Sequence, residues 1–235
     1  MAPRSGPVWV ILREMLSETG VMSRVAHGES TREKILLTAL RLYAQRGLDG
    51  VSLRTISAES GTRNSAAAHY HFGNRLGVIE AVLAMITSHL RPRFEAGIVA
   101  VEQAPQPTLR DVVCAMSLPY LSLLSGKVSW GPSALRFMAH LHADNTREIV
   151  LLLKRHFRLE VERIESQLHR ALPDVPRNTL RIRLAFSFVN LIHGAAEIDL
   201  LANTPFGDIR PDDITLFNHF VDYVEGGLGF PARPA

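Results

Sequence analysis

The chain has 235 residues, of which 46% are apolar, and this is enough for one large globular domain or two small ones. Its formal net charge is only +3, so an attraction to polyanions must come from local clusters of basic side chains. Cys114 is the only cysteine, which excludes an intrachain disulfide framework and fits a reducing cytosol.

Apolar runs along the chain are short. None approaches the roughly 18 residues of a membrane span. The run at residues 8–12 is cut off by Arg13 and Glu14 before it reaches the roughly seven residues of a secretory signal. We therefore expect no membrane partner, no export signal and a cytoplasmic location.

Residues 1–28 are predicted to form a poorly ordered leader, because proline and glycine recur along them. Two alternatives remain open. Residues 8–16 could form one short amphipathic helix, or translation could begin downstream at Met15 or Met22.

The first helix is predicted to begin after Ser30. Ser30 and Glu33 match a capping box, in which each side chain accepts a hydrogen bond from the other residue's backbone amide. Gly47 is expected to end the helix. The apolar residues between them recur at helical spacing, at Ile35, Leu36, Ala39, Leu42 and Tyr43.

Two short helices separated by a tight turn are predicted next. Ser52 caps the first, which ends at Glu59, and Gly61 supplies a permissive backbone position in the turn. Ala68 and Phe72 of the second helix are expected to face the core. Such a pair can place its second helix in the major groove of DNA. The side chains facing the groove would be Ser65, Ala66, His69 and Tyr70, with Arg63 at the helix entrance.

Charge and side-chain size along this segment also favour DNA. Residues 24–75 carry eight basic and four acidic side chains, so the positive excess of the chain lies here. The small side chains of the three alanines at 66–68 would let the backbone approach base pairs closely.

The rest of the chain is also predicted to be helical, because no segment has the period of a strand. Asn74 is the expected cap of the next helix, which we expect to end near Leu90 because Pro92 follows. A proline-containing break at residues 104–108 precedes a second helical unit. The helices expected there span residues 108–124, 132–141, 144–172, 177–201 and 211–225.

Motifs for other chemistry are missing from the sequence. His140 and His142 stand two residues apart, which places them on different faces of a helix, and only Asp144 lies near them as a third ligand. No phosphate-binding loop, nucleophile elbow or zinc-protease motif is present. We expect no metal, no cofactor and no enzymatic activity.

Residues 30–90 resemble the DNA-binding domain of the tetracycline-repressor (TetR/AcrR) family of bacterial transcription regulators. The residues that carry the resemblance are Arg46-Gly47, the segment at 51–57, and the helix end Tyr70-His71-Phe72-Gly73-Asn74-Arg75. The stretch from Gly61 to Phe72 is one residue longer than the usual family spacing, as in the subset with Arg63-Asn64 after the turn. The resemblance implies an all-α protein, with an N-terminal three-helix helix-turn-helix DNA-binding domain at residues 29–92 and a helical ligand-binding and dimerisation domain at residues 107–228.

The resemblance also implies a set of DNA contacts. Arg63 could fork onto a guanine or contact a phosphate, and Asn64 could read an adenine or cap its helix. Arg54, His71 and Arg75 suit phosphate contacts, which position a protein without specifying sequence. The predicted DNA-binding residues are Arg54, Thr62, Arg63, Asn64, Ser65, Ala66, His69, Tyr70, His71 and Arg75.

A homodimer on a double-stranded operator is expected, because one such domain reads too few base pairs for selectivity. The family resemblance implies that the last two long helices form the dimer seam, and packing in an intramolecular core explains each candidate residue equally well. The candidates are Phe186, Val189, Ile192, Ala196, Leu216, Phe217 and Phe220.

A small-molecule effector, apolar or amphipathic, is implied by the same resemblance. Packing in an ordinary core is again the alternative for the residues that would line its pocket. They are Met116, Tyr120, Trp130, Phe137, Met138 and Phe157.

The sequence therefore predicts a homodimeric transcriptional repressor, located at the bacterial nucleoid when bound to DNA, whose operator binding is relieved by a ligand. Three alternatives stay open: activation in place of repression, DNA binding without ligand control, and a helical enzyme or interaction module.

Overall fold

The computed structural model describes residues 30–62, 64, 66–205, 207, 209 and 213–231. The predicted leader therefore lies outside the described residues. The protein is all-α as predicted, and no strand occurs in the part that the structure describes. The α-helices are α1 (Thr31–Arg46), α2 (Leu53–Glu59), α3 (Ala67–Phe72), α4 (Arg75–Gln103), α5 (Leu109–Leu121), α6 (Gly131–Ala143), α7 (Arg147–Ala171), α8 (Arg177–Ala196) and α9 (Asp213–Gly229).

The predicted serine caps of the N-terminal helices are confirmed, and of the predicted capping box the structure shows the Ser30 half. Ser30 Oγ accepts a hydrogen bond from the Glu33 amide at 3.2 Å, and Ser52 Oγ accepts one from the Thr55 amide at 3.1 Å. Gly47 ends α1 with a φ of 72°, a conformation that a glycine adopts without strain. Local hydrogen-bonding chemistry thus fixes where these helices begin and end.

The predicted end of α4 near Leu90 is wrong. Asn74 caps the helix as expected, its Oδ1 accepting from the Gly77 amide at 2.8 Å, but the helix continues through Pro92 to Gln103. Proline inside a helix costs about 3 kcal/mol. The helix continues because its apolar side chains on both sides of the proline are buried, and their burial outweighs this cost. The buried residues are Leu90, Phe94, Ile98 and Val101.

The last two helices differ from prediction at their ends. α8 stops at Ala196 and passes into a 3-10 segment, Ile198–Asn203, whereas we expected helix to residue 201. α9 runs to Gly229, beyond the expected end at residue 225.

Two hydrophobic cores organise the molecule. The first joins α1, α2, α3 and the first half of α4 to α6, where the Tyr43 and Phe137 rings lie 5.9 Å apart. The second lies between the remaining half of α4, α5, the end of α7, α8 and α9. Because α4 contributes to both cores, it connects the N-terminal helices with the rest of the body.

Candidate nucleic-acid interface and cavity

α3 packs one face against the N-terminal core and presents the other to solvent. Ala68 is fully buried, whereas His69, Tyr70 and His71 are exposed, Tyr70 by 82%. Ala68 therefore faces the core, and His69 and Tyr70 face outward, as predicted. An exposed row of two imidazoles and a phenol can donate and accept hydrogen bonds along a DNA groove.

The small side chains of the alanines at 66–68 were predicted to let the backbone approach base pairs, with Ala68 facing the core, and only one of the three faces outward. Ala67 and Ala68 are buried in the first core, and only Ala66 is exposed. The reason is the length of α3, since six residues leave room for a single inward face and both alanines fall on it.

The turn between α2 and α3 is held by side chains that were predicted to touch DNA. Thr62 Oγ1 donates to the Ser57 carbonyl at 2.9 Å, and Asn64 Oδ1 accepts from the Ala66 amide at 2.9 Å. Asn64 thus makes a local turn of the kind that asparagine favours ahead of a helix. The positions predicted for Arg63 and Ser65 lie outside the described residues.

The arginines around the helix-turn-helix differ in how they are paired. Arg75 Nη2 lies 2.7 Å from Asp49 Oδ1, while Arg41 and Arg46 both bind Glu59, at 2.8 and 2.9 Å. The hydrogen bond from Arg41 holds the pKa of Glu59 below its usual value. Arg54 is exposed on the first turn of α2 and makes no ion pair within the described ranges. It is therefore available to a phosphate.

A polar groove of about 370 Å³ runs between the start of α1 and α3. Its wall combines Lys34 of α1 with hydroxyl, amide and imidazole groups, a chemistry that suits the sugar-phosphate backbone. The groove residues include Thr31, Lys34, Thr62, Asn64, Tyr70 and His71.

A larger cavity, of about 550 Å³, opens between α4, α5 and α7. Most of its wall is apolar, and its mouth carries charged side chains of α4 and α7. The apolar wall includes Leu90, Phe94, Met116, Phe157, Ile164 and Phe188. Arg91 lies 4.0 Å from Glu160 at the mouth, and Arg158 lies 3.5 Å from Glu162. An apolar interior with a polar mouth is the usual form of a small-molecule site.

Three of the six predicted pocket residues line this cavity: Met116, Tyr120 and Phe157. The other three do not. Phe137 and Met138 are buried in the first core, because the inner face of α6 packs against α1, and the Trp130 ring lies 5.1 Å from the His89 ring. The residues of α4 that line the cavity were not predicted, although they have the spacing of one helix face. They are Thr87, Leu90, Arg91 and Phe94.

Two polar side chains inside the cavity are neutral near pH 7. Burial raises the pKa of Tyr120, and the nearby Glu160 carboxylate raises it further. Burial lowers the pKa of His142 from its ordinary 6.5, and His193 lowers it as well. The cavity therefore offers a phenol and a neutral imidazole to a ligand, with formal charges confined to the mouth.

The predicted dimer residues fall into three groups by exposure. Phe186 and Val189 are exposed on α8, Phe186 by 65%, while Leu216 and Phe220 of α9 are partly buried. Ile192, Ala196 and Phe217 are buried in the two cores. Two apolar side chains that were not predicted, Ile182 of α8 and Tyr223 of α9, are also exposed. Ile182, Phe186 and Val189 follow each other at i, i+4 and i+7, so one face of α8 is apolar and uncovered in the single chain.

Among the residues that the structure describes, no three histidine, cysteine, aspartate or glutamate side chains cluster as metal ligands. Within the same ranges, no helix combines the length and apolarity needed to cross a membrane.

Comparisons with known proteins agree with this geometry. Residues 35–82 match the model of bacterial regulatory proteins of the tetR family, and residues 115–227 match the tetracyclin repressor-like C-terminal domain. A search of curated proteins finds no match.

Solved structures with the same fold include three at low sequence identity. AibR, in complex with isovaleryl coenzyme A and operator DNA, is 20% identical, with a TM-score of 0.56 over 86% of this chain and 100% of that one. SmeT, in complex with triclosan, is 21% identical, with a TM-score of 0.51 over 77% and 95%. A HlyIIR variant is 16% identical, with a TM-score of 0.56 over 88% and 99%. The two domain models together cover more than half of the sequence, and the chain therefore belongs to the TetR family of bacterial transcription regulators, which are not enzymes.

Proposed function

We propose that this protein is a homodimeric, sequence-specific repressor, and that a small apolar or amphipathic molecule bound in the cavity relieves its operator binding. It would act in the cytoplasm, on double-stranded DNA. The observation that carries the proposal is the position of α4. Its first half packs against the helix-turn-helix in the first core, and its next turn lines the cavity through Leu90, Arg91 and Phe94.

DNA recognition is assigned to the exposed face of α3. His69 and Tyr70 would meet base edges in the major groove, and His71 and Arg54 would contact phosphates. Arg75 can join them only by exchanging its ion pair with Asp49 for a phosphate, an exchange of one exposed anion for another. Thr62, Arg63, Asn64, Ser65 and Ala66 form the stretch that leads into α3 and complete the proposed interface.

The effector is proposed to have a largely apolar body, because the cavity wall is largely apolar. This wall includes Leu90, Phe94, Met116, Phe157 and Phe188. The volume of about 550 Å³ lies inside the range of roughly 300–1,000 Å³ that small-molecule sites usually have. The complexes of SmeT with triclosan and of AibR with isovaleryl coenzyme A support the proposal, because proteins of this fold bind a small molecule in both. A ligand that fits only one position of α4 would shift the balance between two spacings of the DNA-binding helices.

The dimer is proposed to form through the apolar face of α8, with α9 beside it. Ile182, Phe186 and Val189 would be covered by the same face of a second copy, as a two-fold axis requires. This arrangement would present two copies of α3 to one side of the DNA.

The test of DNA recognition measures binding of the full-length protein to a duplex selected from random sequence, by fluorescence anisotropy. We expect Tyr70→Ala and His69→Ala each to weaken binding by about tenfold, which corresponds to the loss of one good base contact. Leu159→Ala, an exposed apolar residue on α7, is the control and should bind as the wild type does. Unchanged binding by both α3 variants would contradict the assignment of α3.

The test of ligand control adds a panel of apolar compounds, with triclosan among them, to the protein–duplex complex. At least one compound should release the DNA. Met116→Trp, which fills part of the cavity, should keep DNA binding and lose the release. Release that persists in the filled variant would place the effector elsewhere, and no release by any compound would favour a regulator without ligand control.

A further inference from the structure

We propose that Ser57 of α2 is a positioning residue for DNA recognition, because its buried hydroxyl holds the first turn of α3. The proposal rests on the function proposed above, since it concerns how α3 meets DNA. Ser57 is fully buried, and its Oγ accepts a hydrogen bond from the Ala68 amide at 3.0 Å. Ser57 itself cannot reach DNA, so it would act through α3.

α3 needs such support because it is very short. It has six residues, and the residue at its N-cap, Ala66, has no side chain that could accept a hydrogen bond from the first-turn amides. A helix of this length does not persist without tertiary contacts. The Ser57 hydroxyl supplies from α2 the acceptor that a capping residue would ordinarily supply from within the same segment.

Ser57 also holds the turn through its carbonyl group. This oxygen accepts from Ser60 Oγ at 2.8 Å and from Thr62 Oγ1 at 2.9 Å. Thr62 Oγ1 also lies 3.1 Å from the Asn64 carbonyl, and Asn64 Oδ1 accepts from the Ala66 amide. Hydrogen bonds therefore run from Ser57 to α3 by two routes, one direct and one around the turn. Thr62 and Asn64 accordingly contribute to recognition by shaping the turn.

The consequence is a fixed rotation of α3 relative to α2. This rotation decides how His69 and Tyr70 point into the groove. Loss of the Ser57 hydroxyl would leave the Ala68 amide buried without its acceptor, and α3 would shift until that amide found another. Base contacts need placement to within about 0.5 Å, whereas phosphate contacts tolerate more movement. Sequence-specific binding should therefore suffer far more than non-specific binding.

The test compares two dissociation constants of full-length Ser57→Ala at one salt concentration, for the selected operator duplex and for a random duplex of the same length. We expect operator affinity to fall by about tenfold or more. Affinity for the random duplex should change by less than about twofold. The specificity ratio, which is the operator affinity divided by the random-duplex affinity, should therefore fall along with the operator affinity. A purely structural role would lower the folded fraction and weaken both affinities equally, and an unchanged ratio would overturn the proposal.

Two further variants keep the test decisive. Ser60→Ala removes a hydroxyl that donates to the same Ser57 carbonyl but has no hydrogen bond to α3 within the described residues, and its ratio of operator to random-duplex affinity should match the wild type. If Ser57→Ala does not fold, Ser57→Cys keeps the shape of the side chain with a somewhat larger atom, places a weak acceptor opposite the amide and should lower the ratio in the same way. Failure of the selection to enrich any sequence would contradict the proposed function itself, whereas an enriched operator with an unchanged ratio in the Ser57 variants would contradict only this inference.

Discussion

Tyr43 is fully buried between α1 and α6, yet its hydroxyl has no hydrogen-bond partner among the described residues. Burial raises the pKa of this phenol to about 12, against a smaller opposing effect of Arg75. Phenylalanine would keep the packed ring and remove the buried hydroxyl that has no partner. Tyr43→Phe should therefore leave the free energy of unfolding unchanged or raise it by about 1 kcal/mol.

Urea denaturation measures this effect, with Phe137→Ala as the contrast. Phe137 packs against the Tyr43 ring, and its truncation should cost about 3–5 kcal/mol. A loss of more than about 1 kcal/mol in Tyr43→Phe would show that the hydroxyl has a partner that stabilises the fold.

Glu102 at the end of α4 forms a bidentate salt bridge with Arg163 of α7. Arg163 Nε and Nη2 each lie 2.8 Å from one carboxylate oxygen, and this hydrogen bonding lowers the pKa of Glu102. A carboxyl whose pKa is lower in the folded than in the unfolded chain stabilises the fold above its unfolded value of about 4.5. That contribution disappears as the pH falls through the lowered folded value.

Glu102→Gln should therefore lose about 0.5–1 kcal/mol of stability at pH 7, a modest value because both side chains are partly exposed. The difference from the wild type should vanish under strongly acidic conditions. Glu162→Gln, which removes a longer contact of 3.5 Å with Arg158, is the control and should show little change at either pH. A Glu102→Gln difference that grows towards low pH would contradict this sign.

At the scale of elements, α4 and α5 approach each other closely at Gly97. A Cβ atom at this position would lie 3.2 Å from both Cα and Cβ of Ala115. Gly97→Ala should therefore force the two helices apart and destabilise the protein by about 1–3 kcal/mol, although alanine is the better helix former. Gly226→Ala in α9, where nothing lies within 4 Å of the added carbon, should instead gain up to about 1 kcal/mol. Equal gains in thermal denaturation of both variants would show that the helices do not meet at Gly97.

Element boundaries could be predicted where their cause is local. Ser30, Ser52 and Asn74 cap their helices as expected, because a cap depends on residues within one turn. The predicted end of α4 before Pro92 was wrong, because the burial that carries the helix past this proline depends on helices that are distant in sequence. The helix-turn-helix could be predicted for the same reason as the caps, because the residues that indicate it, from Ser52 to Arg75, are consecutive in the sequence.

The cavity could be predicted only in part, because its wall joins residues from five helices. Met116, Tyr120 and Phe157 were identified as apolar and aromatic side chains in the C-terminal half. Phe137 has the same chemistry but lies in the first core. The rotation of α6 decides between these two outcomes, and that rotation depends on packing against α1.

At the scale of the whole molecule, the exposed face of α8 predicts self-association. Phe186→Glu would place a charge at the centre of the proposed seam, so the variant should sediment as a single chain and bind operator DNA much more weakly. Leu159→Glu adds the same charge at a similarly exposed residue of α7 and should leave the dimer intact. A Phe186→Glu variant that remains dimeric would exclude this face as the seam.

In the proposed complex, a pair of α3 helices, one from each copy, reads the sequence of duplex DNA. Selection from random duplexes with purified full-length protein, followed by sequencing, tests it most directly. We expect an enriched motif with two-fold symmetry, whose half-sites lie about one helical turn apart or a multiple of it. This motif should be bound about 10³-fold or more tightly than random DNA, and Tyr70→Ala should lower that preference by about tenfold. Enrichment of no sequence, or an equal preference in the Tyr70→Ala variant, would exclude α3 as the helix that reads the DNA sequence.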